Sequence, residues 1–244
     1  MKIADGIEAL EINATAMGRQ SIVYPTLIWD NETVVLVDSG FPGQMDALRE
    51  AIKKVGICIQ RIAKIILTHQ DIDHIGNLPE LIKELGGKAE IICHENEKPY
   101  IEGDIHLIKF DPEQMQKMLL SMPEDTRKQF ERIMDNPPKA KVDTTVTDGQ
   151  LLPYCGGIQV IFTPGHTPGH ISLYHQRSKT LISGDSLVIE DGELCGPRPK
   201  AAADIRLAEE SLGKYKNYDI ETVICYHGGV FREGVNLRIK ELAK

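Results

Sequence analysis

Short apolar runs that stop at turn residues and hand over to helix-spaced segments, set out twice along the chain, constrain the fold more than any other feature. In the first half, runs at 7–12, 22–29 and 33–37 read as neighbouring antiparallel strands, with Asp30, Asn31 and Glu32 as a turn. A helix is predicted at 45–55, where Met45, Leu48, Ile52 and Val55 fall on one face and Gly56 stops it. A strand at 64–68, a short helix at 79–85 closed by Gly86 and Gly87, and a strand at 89–93 complete this half. The second half repeats the grammar with strands at 157–163, 171–175 and 180–183, a helix at 201–215, a strand at 222–226 and a final helix. Two similar halves predict an α/β, four-layer sandwich, and a chain of 244 residues fits a single domain spanning 1–244. Between the halves, about 95–141 reads as an inserted helical hairpin. Met115, Met118, Leu119 and Met122 recur at helical spacing, and Phe130, Ile133 and Met134 continue a second helix after Pro123. Such a stripe is expected to pack on the sheet edge as core; a substrate lid or dimer surface is the sharper alternative.

Four of these apolar runs end in metal-ligand chemistry. The strand at 64–68 delivers Thr-His-Gln-Asp-Ile-Asp-His, so His69, Asp71, Asp73 and His74 lie within six residues. An extended backbone there would send residues 69, 71 and 73 to one side and His74 to the other, serving two adjacent ions. The segment Thr-Pro-Gly-His-Thr-Pro-Gly-His at 163–170 is stiffened by prolines and can hold one imidazole in a fixed pose. His166 is assigned as the ligand there, and His170, which leads into the next strand, to a structural hydrogen bond. Asp185 ends the run Leu-Ile-Ser-Gly-Asp, where a carboxylate can bridge two cations, and His227 ends Val-Ile-Cys-Tyr-His ahead of two glycines.

At these residues the chain resembles the metallo-β-lactamase superfamily, whose signature is HxHxDH, then a single His, a bridging Asp and a final His. The VDSG at 37–40 agrees with that family's early strand. The resemblance implies an αβ/βα sandwich with the site at its edge. It also implies two divalent metal ions, the first held by His69, residue 71 and His166, the second by Asp73, His74 and His227, with Asp185 between them. One position departs, because Asp71 stands where the family has histidine, giving HxDxDH. Three carboxylates favour harder ions, so manganese or iron gains on zinc, although affinity order still places zinc first. A shorter side chain at 71 leaves open that the first site is weak and only the second fills. The flavodiiron proteins, a related branch, are similar in carrying an acidic residue here, but they add a flavodoxin domain.

The function implied is hydrolysis of a small ester, lactone or related substrate through a metal-activated hydroxide, with Asp73 orienting the hydroxide or moving a proton. An iron-dependent oxidoreductase, either sulfur dioxygenase-like or diiron, is the alternative suggested by Asp71. A phosphodiesterase or a non-catalytic metal-binding protein also remains open. Glyoxalase II-type thioester cleavage is disfavoured by the short segment after His227. Lactonases of the acyl-homoserine class usually carry a tyrosine where this chain has Val188. Arg198 and Lys200, in a proline-stiffened loop after Asp185, are expected to be solvated charges, with capture of an anionic substrate group as the alternative. Tyr226 and Tyr174 are expected to be half-buried sheet residues. A net charge of -8 with no basic run argues against nucleic acid as a partner. Five cysteines without a CxxC pair argue against a thiolate zinc site or a disulfide framework. No apolar leader or 18-residue apolar span is visible, so a cytoplasmic protein without membrane contact is expected. A small-molecule substrate and a possible homodimer complete the expected partners.

Overall fold

A computed structural model gives the fold, and the structure describes residues 1–16, 19–110 and 124–243. The strands in chain order are β1 (Lys2–Ala4), β2 (Ile7–Ala9), β3 (Ile12–Ala16), β4 (Arg19–Val23), β5 (Thr26–Trp29), β6 (Val34–Val37), β7 (Ile62–Ile66), β8 (Glu90–His94) and β9 (Thr144–Val146). They are followed by β10 (Leu151–Leu152), β11 (Ile158–Phe162), β12 (Ile171–His175), β13 (Thr180–Ile182), β14 (Val188–Glu190), β15 (Glu193–Cys195), β16 (Thr222–Cys225) and β17 (Gly229–Phe231). The helices are α1 (Met45–Lys54), α2 (Ile72–Ile75), α3 (Leu78–Glu84), α4 (Lys98–Ile101), α5 (Glu124–Asp135), α6 (Ile205–Ser211) and α7 (Val235–Leu242).

One sheet runs β1-β2-β5-β6-β7-β8-β9 and the other β10-β11-β12-β13-β16-β17. Strict alternation along their central strands makes the layers. In β6, Val34 and Leu36 face α1 and α3 beneath the first sheet, while Val35 and Val37 face the second sheet. In β16, Ile224 faces the first sheet and Val223 and Cys225 face α7 and the 3-10 helix Leu212–Asn217 that follows α6. The shared core between the sheets joins Ile28, Ile66 and Ile92 to Val160, Leu173 and Ile182, all buried. The order is therefore helix, sheet, sheet, helix, the four layers expected from the two half-patterns.

Topology decides where the site falls. Strands β6, β7, β8 and β9 are mutually parallel, so they end on one edge. In the second sheet β13 and β16 are parallel. Strand β11 is antiparallel to β12, which is antiparallel to β13, so β11 points the same way as they do. The segments after β7, β11, β13 and β16 carry the candidate ligands and thus leave their sheets at carboxyl ends, where functional loops of α/β sheets gather.

Several details differ from the sequence reading. The run at 22–29 is two strands, because Pro25 lacks an N–H and breaks the ladder: β4 pairs with β3 and, at Val23, bridges to His227, whereas β5 joins the large sheet. The segment after Asp185 is a hairpin, β14 with β15, turning at Asp191 and Gly192, which both have positive φ. Asp-Gly between short apolar stretches is the signal that identifies such a turn. The methionine stripe at 115–122 lies outside the described residues, and α5 occupies the place of the second hairpin helix.

Candidate metal centre

The stretch after β7 is not extended throughout. Asp71 sits at the N-cap of α2 with β-region backbone (φ -60, ψ 146), and Asp73 and His74 are already helical. Aspartate at an N-cap ordinarily turns its carboxylate onto the helix amides. Here it makes no such cap bond, and Oδ2 lies instead 3.1 Å from His69 Nε2 and 2.9 Å from His166 Nε2. Asp71 is therefore long enough to enter the cluster. The helical turn replaces the alternation expected of a strand and still separates the ligands, with Asp73 near His227 at 3.2 Å and His74 near Asp185 at 3.2 Å.

Asp185 lies centrally. Its Oδ1 faces His74 Nε2, and its Oδ2 lies 3.4 Å from both His166 Nε2 and His227 Nε2. Ligand atoms of His69, Asp71, His166 and Asp185 fall within 4.8 Å of one another, as do those of Asp73, His74 and His227. The structure thus brings all seven sequence-derived candidates together in two adjacent groups.

Backbone requirements hold the loops. A Cβ on Gly165 (φ +128) would come 2.1 Å from the Ala208 amide nitrogen, and one on Gly228 (φ +103) would come 2.4 Å from the Ile189 carbonyl oxygen. Both turns therefore demand glycine. His170 does not join the cluster with a free nitrogen: its Nδ1 is 2.8 Å from Thr163 Oγ1, and its Nε2 accepts the Asp185 amide at 3.0 Å. It fixes the backbone of the central carboxylate.

Three further groups escaped the sequence reading. Asp38, in left-handed backbone (φ 61) after β6, accepts a hydrogen bond from His74 Nδ1 at 2.8 Å and from the Thr68 amide and hydroxyl, each at 2.8 Å. Thr68 Oγ1 is in turn 3.0 Å from His69 Nδ1. The VDSG motif marked Asp38, but nothing in its spacing shows it reaching His74. Glu97 is fully buried and accepts the Gln70 amide at 2.8 Å and the Gly169 amide at 2.7 Å, tying the two histidine loops together. Lys109, on a 3-10 turn at Ile108–Phe110, donates to Asp71 Oδ2 and lies 3.1 Å from His166 Nε2. Tyr226 is 3% exposed; its ring stacks on His74 with centroids 3.7 Å apart, and its hydroxyl donates to the Asp73 carbonyl. Tyr174 donates to the Asp219 carbonyl, away from the cluster.

The electrostatics are those of an acidic cage short of positive charge. Burial works against the charge on His227, yet Asp185 and Asp73 raise its pKa to about 10. Burial likewise opposes a charge on His74, and Asp38, Asp185 and Asp73 overcome it, holding that imidazole well above its ordinary value. His69 goes the other way, to about 3, because burial is reinforced by the neighbouring His74 charge. Burial works to raise Asp71 and Asp185, but the imidazoles around them, with Lys109 at Asp71, hold both carboxyls well below the carboxylate range. The buried atoms His69 Nε2, His74 Nε2 and Asp185 Oδ1 have no hydrogen-bond partner among the described residues. Buried polar groups without partners are costly. With Nδ1 of His69 and His74 engaged by Thr68 and Asp38, each Nε2 faces into the cage, and metal-binding histidines are oriented in the same way by an oxygen on the other ring nitrogen. The donor set fits divalent ions.

Comparison with known proteins agrees. A family model described as the metallo-beta-lactamase superfamily matches residues 18–227. A probable metallo-hydrolase of Bacillus subtilis, YflN, is 27% identical over 98% of this chain and 90% of its own length. The hydroxyacylglutathione hydrolase GloC of Haemophilus influenzae is 27% identical over 66% of this chain and 65% of its own. A crystal structure of a metallo-beta-lactamase family protein from Thermus thermophilus superposes with a TM-score of 0.74 at 22% identity, covering 99% of this chain and 79% of that one. The chain belongs to the metallo-β-lactamase superfamily. It is a metallohydrolase with that fold.

Proposed function

We propose that the cage binds two divalent ions, zinc first, and that the chain hydrolyses a small ester or lactone. The observation that carries this reading is the convergence of four imidazoles and three carboxylates, with buried polar atoms left without partners, at a cleft of about 110 Å³. His69, Asp71 and His166 would hold one ion and Asp73, His74 and His227 the other, with Asp185 reaching both. Bound there, such ions supply Lewis acidity and lower the pKa of a water to near neutrality.

The chain's own residues set the rest. Asp73 is the most exposed of the three carboxylates, at 16% against 6% for Asp71 and 9% for Asp185, and it lines the cleft. It is the carboxylate best placed to orient an attacking water and pass a proton to the leaving group. Tyr226 holds its backbone while the stacked ring fixes His74. Val188, Ala201 and Arg198 complete the walls with Lys109, giving a small apolar patch beside two cations suited to a compact acyl group. Arg198 is also paired with Glu190 at 2.8 Å, which holds it at the cleft mouth.

The test combines elemental analysis with a panel of esters, lactones, thioesters and phosphodiesters. Turnover of an ester or lactone, lost on chelation and restored by zinc, is the expected result. A fully metal-loaded protein inert on the whole panel would end the reading. The oxygen-rich donor set favours one second reading, an iron oxidoreductase. Zinc in the protein as purified, with no oxygen uptake on a persulfide, would dismiss it.

A further inference from the structure

The ammonium of Lys109 stands where a cation is wanted. It donates to Asp71 Oδ2 and approaches His166 Nε2 at 3.1 Å, two of the four ligand atoms of the group containing His69 and Asp185. An imidazole nitrogen has one lone pair, so His166 Nε2 serves either a lysine N–H or a metal ion, never both. The positive charge on Lys109 also offsets Asp71, the carboxylate that departs from the family's histidine, and lowers the attraction of that subsite for a dication.

This placement is built into the backbone. The 3-10 turn bearing Lys109 is pinned where the Ile108 amide donates to Gln70 Oε1 at 2.8 Å. Gln70 is fully buried and lies between His69 and Asp71 in the ligand loop itself. Leu107, two residues before the lysine, is buried against the outer core of the first sheet. The root of the side chain is thus fixed to the loop it neutralises. The Lys109 side chain is nevertheless 39% exposed, so the ammonium has a route to solvent.

We propose that Lys109 is a resident counter-cation for the His69/Asp71/His166 subsite, so that the two subsites fill unequally. The Asp73/His74/His227 subsite takes its ion first, and the other takes one only when the ammonium swings out. This rests on the hydrolase reading above and deepens it, because it makes the second ion conditional. Occupancy of the lysine-guarded subsite then depends on free metal concentration, whereas the other subsite stays loaded.

The experiment titrates the metal-stripped full chain with Co²⁺ against a competing chelator, with stoichiometry from native mass spectrometry. In the wild type the second ion should bind at least about tenfold more weakly than the first, the scale on which one neighbouring charge shifts a binding equilibrium. Lys109→Met keeps the apolar stem and should close that gap by strengthening the weak step alone; Lys109→Arg should preserve it. Thermal melts of both variants, with Lys109→Gln as a replacement for Met, establish that the fold is intact. Two equally tight ions in the wild type, or an unchanged gap in Lys109→Met, would overturn the inference while leaving the hydrolase reading in place. Failure of every form to bind metal would bring down both.

Discussion

The first half of the chain supplies four of the seven cage side chains from a single stretch of six residues, whereas the second half supplies three from three separate strand ends. In the first half the relative placement of His69, Asp71, Asp73 and His74 is set locally by one turn and the short helix after it. In the second half the placement of His166, Asp185 and His227 depends on the alignment of β11, β13 and β16 across a whole sheet. Local error in the first region displaces several ligands together, and register error in the second displaces one. The second region compensates with glycines that admit no other residue and with His170 clamped on the Asp185 amide.

Four substitutions probe this contrast, beginning with the most damaging. Asp185→Ala removes the one second-half side chain that faces histidines of both groups. Turnover should fall by more than about 10²-fold and both ions should weaken in chelator competition; loss of one ion alone would show that Asp185 serves a single subsite. Asp38→Asn acts on the first half through His74 and should cost about 10–100-fold in metal affinity at the Asp73/His74/His227 subsite. Equal weakening of the other subsite would show that the first-half turn moves as one piece.

Glu97→Gln addresses the tie between the halves. The Gln70 and Gly169 N–H groups bind different oxygens of Glu97, and glutamine would set an NH2 against one of them, so urea melts should show a loss of about 1–3 kcal/mol. Burial lifts the Glu97 carboxyl to about 7 against its ordinary 4.5. A carboxyl raised in the folded state contributes stability that is full below the unfolded value and is lost as pH rises through 7. The stability gap between wild type and Glu97→Gln should therefore be widest near pH 4.5 and shrink by pH 8; a gap that widens with pH would contradict the assignment. Tyr226→Phe should be mildest, about 1 kcal/mol, because the ring stack on His74 survives and only the donor to the Asp73 carbonyl is lost.

The same contrast explains what could be read from the amino acids alone. Strands such as β6, β12 and β16 announce themselves because both faces are buried and the apolar run is continuous. The ligand positions were legible because each segment follows such a run, and His166, Asp185 and His227 each have a glycine beside them. The hairpin β14/β15 and the strand β1, at three residues a strand, are too short for periodicity to register. The roles of Asp38, Glu97 and Lys109 were hidden for another reason. Each is an ordinary polar residue whose importance comes from a partner 36, 27 or 38 positions away along the chain. The role of Asp71 needed structure as well, since its place at the start of a helix offers a capping function that it does not perform.

The cage sits across the seam between the two sheets, with donors from both sides of the buried layer that joins Ile66 to Ile182. Ions held there would rivet the sandwich at its rim, so any shear of one layer over the other would be felt first as a change in ligand spacing. A methylene trimmed from that inner layer, as in Ile66→Val, would then detune the chemistry without touching a single coordinating atom.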